Sequence, residues 1–160
     1  MVKVAIIMGS QSDLSTVQHT LDILKDFRVA FEIKVLSAHR TPKELARYVE
    51  GLDKKGIRVV IAAAGGSAAL AGVVASYSTL PVIGIPIETK SLKGLDSLLS
   101  TVQMPPGIPV ACMSIGDWGA RNAAIYAIEL LALEDDKLKR ALQNYKKKMA
   151  AKIRKAKIRF

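Results

Sequence analysis

Five short apolar runs, separated by longer amphipathic segments, constrain the fold of this 160-residue chain more than any other feature. The runs are rich in Val and Ile, and they occur at Val2–Met8, Phe31–Leu36, Ile57–Ala63, Pro81–Ile87 and Ile108–Ile115. Apolar strands that alternate with helices are typical of a parallel sheet covered by helices on both faces. We therefore predict an α/β fold with five parallel strands.

The segments between these runs carry helical signals. From Asp13 to Phe27, Leu and Val recur at three- and four-residue steps, which marks one apolar helix face. Thr41–Glu44 offers an N-cap threonine, a proline at the first helical position and a glutamate that would close a capping box. Further helices are expected from there to Gly56, from Ser67 to about Tyr77, over 93–100, over Arg121–Leu133 and after Asp136. These connections favour a flavodoxin-like doubly wound sheet in the order 2-1-3-4-5, with an extra C-terminal helix.

The formal net charge of +10 is concentrated at one end of the chain. Eleven Lys or Arg and no Asp or Glu lie between Lys137 and Phe160, so the remainder is nearly neutral. Such a run is more often a solvated helix face than a nucleic-acid site, and no ladder of aromatic residues accompanies it. We predict a flavodoxin-like domain over 1–134 that carries the functional site, and a basic helix over 135–160 packed on that domain or on oligomer neighbours. No nucleic-acid partner is expected, although a nucleic-acid-binding module that uses the basic segment is an alternative.

Composition also indicates the cellular setting. No apolar run reaches the roughly 20 residues of a membrane-spanning helix, and the first residues lack the pattern of a signal peptide. The single cysteine, Cys112, cannot form an internal disulfide. We therefore predict a cytoplasmic protein without a membrane partner.

The loop Met8–Asp13 directly follows the first strand and is suited to bind an anion. Its glycine lets the backbone approach a ligand closely, and the amides at the start of the next helix favour negative charge. Ser10 and Ser12 add hydroxyl donors, while Asp13 is suited to accept hydrogen bonds from ribose hydroxyls. The same pattern occurs where a helix is only capped, so capping alone is an equal alternative for this loop.

The loop Ser37–Pro42 follows the second strand and places His39 beside Arg40. Arg40 can hold a phosphate through two parallel hydrogen bonds. A histidine with an ordinary pKa of ~6.5 can act as acid or base near neutral pH. The alternative is a loop histidine that only hydrogen-bonds its surroundings. No spacing of His with Cys or carboxylates predicts a metal site.

In the strand order 2-1-3, the loops after the first three strands meet at one edge of the sheet. The third of these loops contains Gly65, Gly66 and Ser67. We therefore expect the loops 9–13, 37–42 and 64–67 to form one crevice. A small phosphorylated ligand held there would lie against an acid–base group.

The motifs quoted so far continue along the chain in Ala64–Gly66, Pro81–Pro86 and Gly94–Pro105. Together with the loops at 8–13 and 37–42, they resemble the phosphoribosylaminoimidazole carboxylase catalytic subunit family of purine biosynthesis. The resemblance spans the chain through Leu133. It implies a flavodoxin-like subunit in a homo-octamer, with active sites where subunits meet. It also implies the interconversion of N5-carboxyaminoimidazole ribonucleotide and 4-carboxyaminoimidazole ribonucleotide, without ATP, metal or organic cofactor.

The resemblance implies residue roles as well. Ser10, Ser12, Asp13 and Arg40 hold the ribose phosphate, His39 is the acid–base group, and Ser37, Gly65, Gly66 and Ser67 complete the predicted substrate-binding set. Carbon dioxide would leave the substrate nitrogen N5 in a closed pocket and be recaptured at C4, with the backbone amides of 65–67 steadying the migrating carboxylate. The octamer would also bury the apolar helix at 121–133.

One loop departs from the class I, or mutase, pattern. Class I members usually read Gly-Gly-Ala-Ala-His-Leu-Pro-Gly, whereas Ala69 replaces the second active-site histidine here and Ala71 replaces the proline. Class II members, which carboxylate aminoimidazole ribonucleotide directly with carbon dioxide, also lack that histidine. They usually carry Lys where Arg40 stands. We favour the class I mutase, with direct carboxylation and impaired chemistry on an intact fold as alternatives.

Overall fold

The computed structural model describes residues 3–156 and contains a five-stranded sheet. Neighbouring strands are parallel throughout, in the order β2-β1-β3-β4-β5. The strands are β1 (Val4–Met8), β2 (Phe31–Val35), β3 (Val59–Ala64), β4 (Val82–Pro86) and β5 (Ala111–Cys112). The predicted fold class and strand order are therefore confirmed.

Six α-helices connect and flank these strands in the described part of the chain. They are α1 (Leu14–Asp26), α2 (Pro42–Glu50), α3 (Leu70–Tyr77), α4 (Leu95–Val102), α5 (Gly116–Leu131) and α6 (Asp136–Arg154). Short 3₁₀ turns at Gln11–Asp13 and Asp53–Lys55 precede α1 and follow α2. Within residues 3–156, no helix has both the length and the apolar composition needed to cross a membrane.

The helices cover both faces of the sheet because successive side chains of a strand point to opposite faces. On β1, Ile6 belongs to a core shared with α1 and α5, whereas Ile7 belongs to a second core shared with α2 and α3. Both side chains are fully buried. Since β1 pairs with β2 on one side and β3 on the other, it fixes the relative positions of these two strands.

The small residues of α5 let this helix pack closely within its own chain. Ala120, Ala123, Ala124, Ala127 and Ile128 are fully buried against α1 and the sheet. From the sequence, we expect oligomer neighbours to bury this apolar helix. Its alanine face is instead buried by the rest of the same chain.

Several element boundaries differ from the sequence predictions, and the fifth helix begins at Gly116 rather than at Arg121. The fifth strand has two residues instead of spanning 108–115, since Pro109 has no N–H to donate to a strand ladder and the chain enters α5 already at Gly116. The third helix begins at Leu70 rather than after Ser67. The second helix ends at Glu50, and Gly56 (φ +77°) closes the 3₁₀ turn that follows.

The basic helix α6 packs on the same chain along its first half. Asp135 caps it by accepting hydrogen bonds from two backbone N–H groups of the first turn. Leu142 is buried in the α1–α5 core, and the ring of Tyr145 lies edge-on to Phe27 at 5.5 Å between centroids. The final part of the predicted basic helix, 157–160, lies outside the described residues.

Thr20 provides a test of the contact between α1 and α5. Its side chain is buried, and its hydroxyl donates to the carbonyl of Ala120 at 2.8 Å. Thr20→Val keeps the shape but removes this donor, so we expect the free energy of unfolding to fall by about 1 kcal/mol, measured by urea denaturation. Ser15→Ala removes an exposed hydroxyl from the same helix and serves as the control. Equal effects of the two substitutions would contradict the role given to Thr20.

Candidate active site

The carboxyl ends of β1 to β4 meet at one edge of the sheet, where the loops that follow them form a cleft of about 640 Å³. Met8 pairs with Val35 of β2 and with Ala63 of β3, so the loops leave the sheet at the same level. The cleft is lined by eight of the nine predicted site residues: Ser10, Ser12, Asp13, Ser37, His39, Arg40, Gly65 and Ser67. Gly66 does not lie on its wall.

The loop after β1 is a capped turn that presents two serine hydroxyls to the cleft. Ser10 Oγ accepts hydrogen bonds from the backbone N–H of Ser12 at 3.3 Å and from the Ser12 hydroxyl at 2.9 Å. The carboxylate of Asp13 accepts from the backbone N–H of Ser10 at 3.1 Å, which completes a capping box. The capping alternative is thus present. The two hydroxyls carry two hydrogens and share one hydrogen bond, so the pair can still donate to an anion on the cleft, and capping and anion binding are compatible.

Arg40 connects the first loop to the second. Its Nη2 donates to the carbonyl of Gly9 at 3.0 Å, and its Nε donates to Ser37 Oγ at 3.4 Å. Ser37 Oγ also accepts from the backbone N–H of Arg40 at 3.2 Å. A guanidinium has five N–H donors, so the remaining donors are free to bind an anion at the edge of the cleft.

Thr41 stabilises the second loop in a way that the sequence did not predict. Its Oγ1 accepts from the N–H of Ser37 at 2.9 Å and donates to the carbonyl of the same residue at 3.1 Å. It makes no side-chain hydrogen bond to the first turn of α2, so the predicted capping box with Glu44 is wrong. The hydroxyl instead closes the turn that carries His39.

His39 lies in this turn with its side chain exposed on the cleft. Within the described residues, no protein group hydrogen-bonds its ring. The alternative is a loop histidine that only hydrogen-bonds its surroundings. Residues 3–156 provide no such hydrogen bond to the His39 ring. The imidazole is free to approach a bound ligand.

Asp13 is the buried charge of the site, with 7% of the residue exposed. Burial raises the pKa of its carboxyl above the ordinary value, because an ionised carboxylate loses solvation inside the protein. The backbone N–H of Ser10, the Ser12 hydroxyl and the positive charge of Arg40 act in the opposite direction and lower that pKa. The loop thus holds a carboxylate whose ionisation depends on these neighbours.

The loop after β3 departs from its predicted role at Gly66. This residue has a left-handed backbone (φ +67°), and its N–H donates to Ser97 Oγ of α4 at 2.9 Å. That N–H is therefore occupied and is not free to bind the migrating carboxylate. Within residues 3–156, the N–H groups of Gly65 and Ser67 have no protein acceptor.

The loop after β4 also lines the cleft, and the sequence reasoning missed it. Ile87, Glu88, Thr89 and Lys90 belong to the wall, and the two charged side chains are exposed. A signal was present in the sequence, since charged and hydroxyl residues directly follow an apolar run here as they do after the first two strands. Because β4 pairs with β3, its carboxyl end must open onto the same edge.

The cleft of the single chain is open to solvent, whereas the closed pocket expected from the sequence belongs to an assembly with active sites where subunits meet. His39, Arg40 and Ser67 are exposed, as are the charged residues after β4. The loops at one edge of a sheet supply a floor and walls, but no described element of this chain lies over them.

Ala69 marks the position of the missing second histidine. It lies on the cleft wall, directly before α3, where its methyl group can neither donate nor transfer a proton. His39 is therefore the one histidine that lines the cleft in the described chain. Residues 3–156 contain no group of three or more His, Cys, Asp or Glu side chains that could hold a metal ion.

The other histidine lies outside the cleft and connects two helices. His19 Nε2 is 3.3 Å from a carboxylate oxygen of Asp117, and its Nδ1 accepts from the guanidinium of Arg121 at 2.9 Å. This contact joins α1 to the start of α5, so His19 is more than the surface residue expected from its position off the apolar stripe. Trp118 beside it is 78% exposed.

Comparison with known proteins identifies the family. A family model described as "AIR carboxylase" matches residues 3–152. The chain belongs to the AIR carboxylase family. The resemblance inferred from the loop motifs is thereby confirmed, and the match extends well into α6.

Relatives within the AIR carboxylase family are close in sequence. The chain is 52% identical to the "N5-carboxyaminoimidazole ribonucleotide mutase" of Pyrococcus abyssi over 149 residues, which cover 93% of this chain and 84% of the relative. It is also 52% identical to the protein of that name from Bacillus subtilis over 139 residues, which cover 87% of this chain and 86% of the relative. The crystal structure of Treponema denticola PurE superposes with a TM-score of 0.85 at 29% identity, covering 96% of this chain and 94% of that one.

The buried Asp13 carboxyl should make the stability of this AIR carboxylase family member depend on pH. Its raised pKa means that the folded state binds a proton more tightly than the unfolded chain does, so the cost of the buried charge is present at pH 7 and is relieved on acidification. Asp13→Asn lacks this titration. We expect the melting temperature of the variant, relative to wild type, to be highest at pH 7 and to decline as the pH falls to about 4. A constant difference across this range would contradict the account.

Proposed function

We propose that this protein is an N5-carboxyaminoimidazole ribonucleotide mutase, an isomerase of purine biosynthesis. It interconverts N5-carboxyaminoimidazole ribonucleotide and 4-carboxyaminoimidazole ribonucleotide without a cofactor. One observation carries the proposal. His39, Arg40 and the Ser10 hydroxyl meet on one cleft, in a chain that is 52% identical to relatives named for this activity.

The ribose phosphate binds between the first two loops. The hydroxyl pair of Ser10 and Ser12 and the unused N–H groups of Arg40 donate to the phosphate oxygens, while Ser37 holds the guanidinium in place. Charge-assisted hydrogen bonds of this kind are about twice as strong as those between neutral groups. Asp13 accepts hydrogen bonds from ribose hydroxyls.

The reaction moves a carboxyl group from nitrogen to carbon. The imidazolium of His39 protonates the carbamate nitrogen, which breaks the bond from this nitrogen to the carboxyl carbon, releases carbon dioxide and leaves His39 neutral. Carbon C4 of the resulting enamine attacks this molecule, and His39 removes the proton from C4. One proton is added and one is removed, so the product is an isomer of the substrate. Holding carbon dioxide beside C4 replaces its capture from dilute solution with an effectively intramolecular step.

The migrating carboxylate lies against the loop after β3. The N–H groups of Gly65 and Ser67 and the Ser67 hydroxyl supply donors there, and Lys90 adds a positive charge on the facing wall. Preorganised donors in such a position stabilise developing negative charge without having to reorganise during the reaction.

Ala69 supports a second candidate function, the direct carboxylation of aminoimidazole ribonucleotide with carbon dioxide. A site with a single histidine provides one acid–base group, which is sufficient to remove the C4 proton after carbon dioxide has been bound. Arg40 and the identity to the named mutases favour the first candidate.

The two candidates are separated by their substrates. Purified protein is supplied with N5-carboxyaminoimidazole ribonucleotide in bicarbonate-free buffer and, separately, with aminoimidazole ribonucleotide and high bicarbonate. The mutase converts the first substrate at low bicarbonate. Conversion of the second substrate together with none of the first would reject the mutase in favour of the carboxylase, and conversion of neither would reject both.

His39→Asn tests the acid–base role. The substitution keeps a polar side chain of similar size but removes the imidazole that transfers the proton, so we expect kcat to fall by about 10²-fold or more with substrate affinity largely retained. His19→Asn is the matched control, because that histidine lies outside the cleft, and its turnover is expected to remain near wild type. Turnover of the His39 variant equal to that of the control would remove His39 from its role.

We further propose a homo-octamer in which a second copy closes the open cleft. The exposed face of α4 and the residues just before it support this assembly, since Leu92, Leu95, Leu99 and Val102 are each 46–57% exposed at helical spacing. A contiguous apolar stripe of this kind marks an interaction surface more often than a solvated one.

The assembly has a direct test. Light scattering coupled to size exclusion should report about eight times the 17.2 kDa chain mass for wild type. Leu99→Lys places a charge on the stripe and is expected to yield a smaller species, whereas Lys148→Glu on the exposed part of α6 is the charge-change control. A wild-type mass of one chain would contradict the assembly.

A further inference from the structure

The peptide group between Gly65 and Gly66 is held by a buried serine on α4. Ser97 is fully buried, and its Oγ accepts the N–H of Gly66 at 2.9 Å. The same hydroxyl donates its hydrogen to the carbonyl of Ile87 at 2.7 Å. One hydroxyl therefore joins the loop after β3 to the end of β4, and its donor and one acceptor site are both in use.

This peptide has the greatest intrinsic freedom of rotation on the cleft. Glycine lies on both of its sides, and neither residue has a Cβ to restrict the backbone dihedrals. Rotating the peptide by half a turn would point the Gly66 N–H and the Gly65 carbonyl in opposite directions to those observed, because the two groups of a trans peptide are antiparallel. An external partner is needed to keep one orientation, and Ser97 Oγ is that partner.

The rest of the loop depends on this orientation. The carbonyl of Gly66 accepts from the N–H of Ala68 at 2.8 Å, and the carbonyl of Ser67 accepts from the N–H of Ala69 at 2.7 Å. With these groups and the Gly66 N–H engaged, the free backbone donors of the loop are those of Gly65 and Ser67. The Gly65–Gly66 peptide lies between these two donors, so losing its anchor on Ser97 would let the segment that carries both of them shift.

The Ser97 hydroxyl does not hydrogen-bond within its own helix, as serine and threonine hydroxyls in helices often do. Thr101, one turn later, is equally buried, and its hydroxyl returns to the carbonyl of Ser97 within the helix at 2.8 Å. The Ser97 hydroxyl leaves the helix and bonds two groups at the active-site edge of the sheet. The two residues thus provide a natural comparison on one helix.

We propose that Ser97 is a positioning residue, whose hydroxyl locks the Gly65–Gly66 peptide and thereby orients the backbone donors that receive the substrate carboxylate. This proposal rests on the proposed function. Since the phosphate is bound by other loops, losing the lock affects the chemical step more than substrate affinity.

The test compares Ser97→Ala with Thr101→Val in the full-length protein. Each substitution removes one buried hydroxyl from α4, and Ser97→Ala is expected to lose more thermal stability because two hydrogen bonds are lost instead of one. For Ser97→Ala we expect kcat to fall by about tenfold to a hundredfold and KM to change by less than about threefold, as for other small misplacements of reacting groups. Thr101→Val should retain wild-type kcat. Ser97→Cys, which is close to serine in size but a poor hydrogen-bonding group, should resemble Ser97→Ala.

Hydrogen–deuterium exchange supplies a second readout that does not require activity. The peptide that contains Gly65–Ala69 should exchange faster in Ser97→Ala than in wild type or in Thr101→Val. Unchanged exchange in Ser97→Ala, or equal loss of kcat in both variants, would overturn the proposal. If wild type converts neither substrate while exchange increases only in Ser97→Ala, the proposed function fails and the lock on the peptide stands.

Discussion

The parallel pairing of β1 with β2 on one side and β3 on the other is the constraint on which the site depends. Met8 lies level with Val35 and Ala63, so the three loops that follow must leave the sheet together. After β1 the chain adds β2 on one side and then β3 on the other, so the strand order reverses at β1. An open α/β sheet forms its crevice at such a point. The loops could change in sequence without losing this meeting point, but a shift in strand register would separate His39 from the serines of the first loop.

The loops of the cleft use part of their hydrogen-bonding capacity to hold their own shape and leave the rest for a ligand. Arg40 donates two hydrogen bonds, to Gly9 and to Ser37, and the Ser10 hydroxyl accepts two while it remains on the cleft wall. Asp13 shows the energetic cost of such an arrangement, since its charge is buried and its pKa is raised. The site is therefore preorganised at some expense of stability, as binding sites commonly are.

The sheet and most of the site could be predicted from sequence because both follow from local patterns. Apolar runs define strands, and polar residues that directly follow such runs lie at the carboxyl edge. The partners of individual side chains had no such signal. The sequence does not show that Thr41 turns back to Ser37, that Ser97 takes the Gly66 N–H, or that the alanines of α5 fit against α1. The loop after β4 was missed although the same rule applies to it, and the openness of the cleft depends on what lies outside the single chain.

The most direct test of the account is a crystal structure of the protein with 4-carboxyaminoimidazole ribonucleotide bound. The phosphate is expected within hydrogen-bond distance of Ser10 Oγ and the Arg40 guanidinium, with the imidazole of His39 facing C4 of the ligand and the carboxylate against Gly65 and Ser67. A phosphate bound at another edge of the sheet, or a His39 ring on the side of the loop away from the ligand, would contradict it.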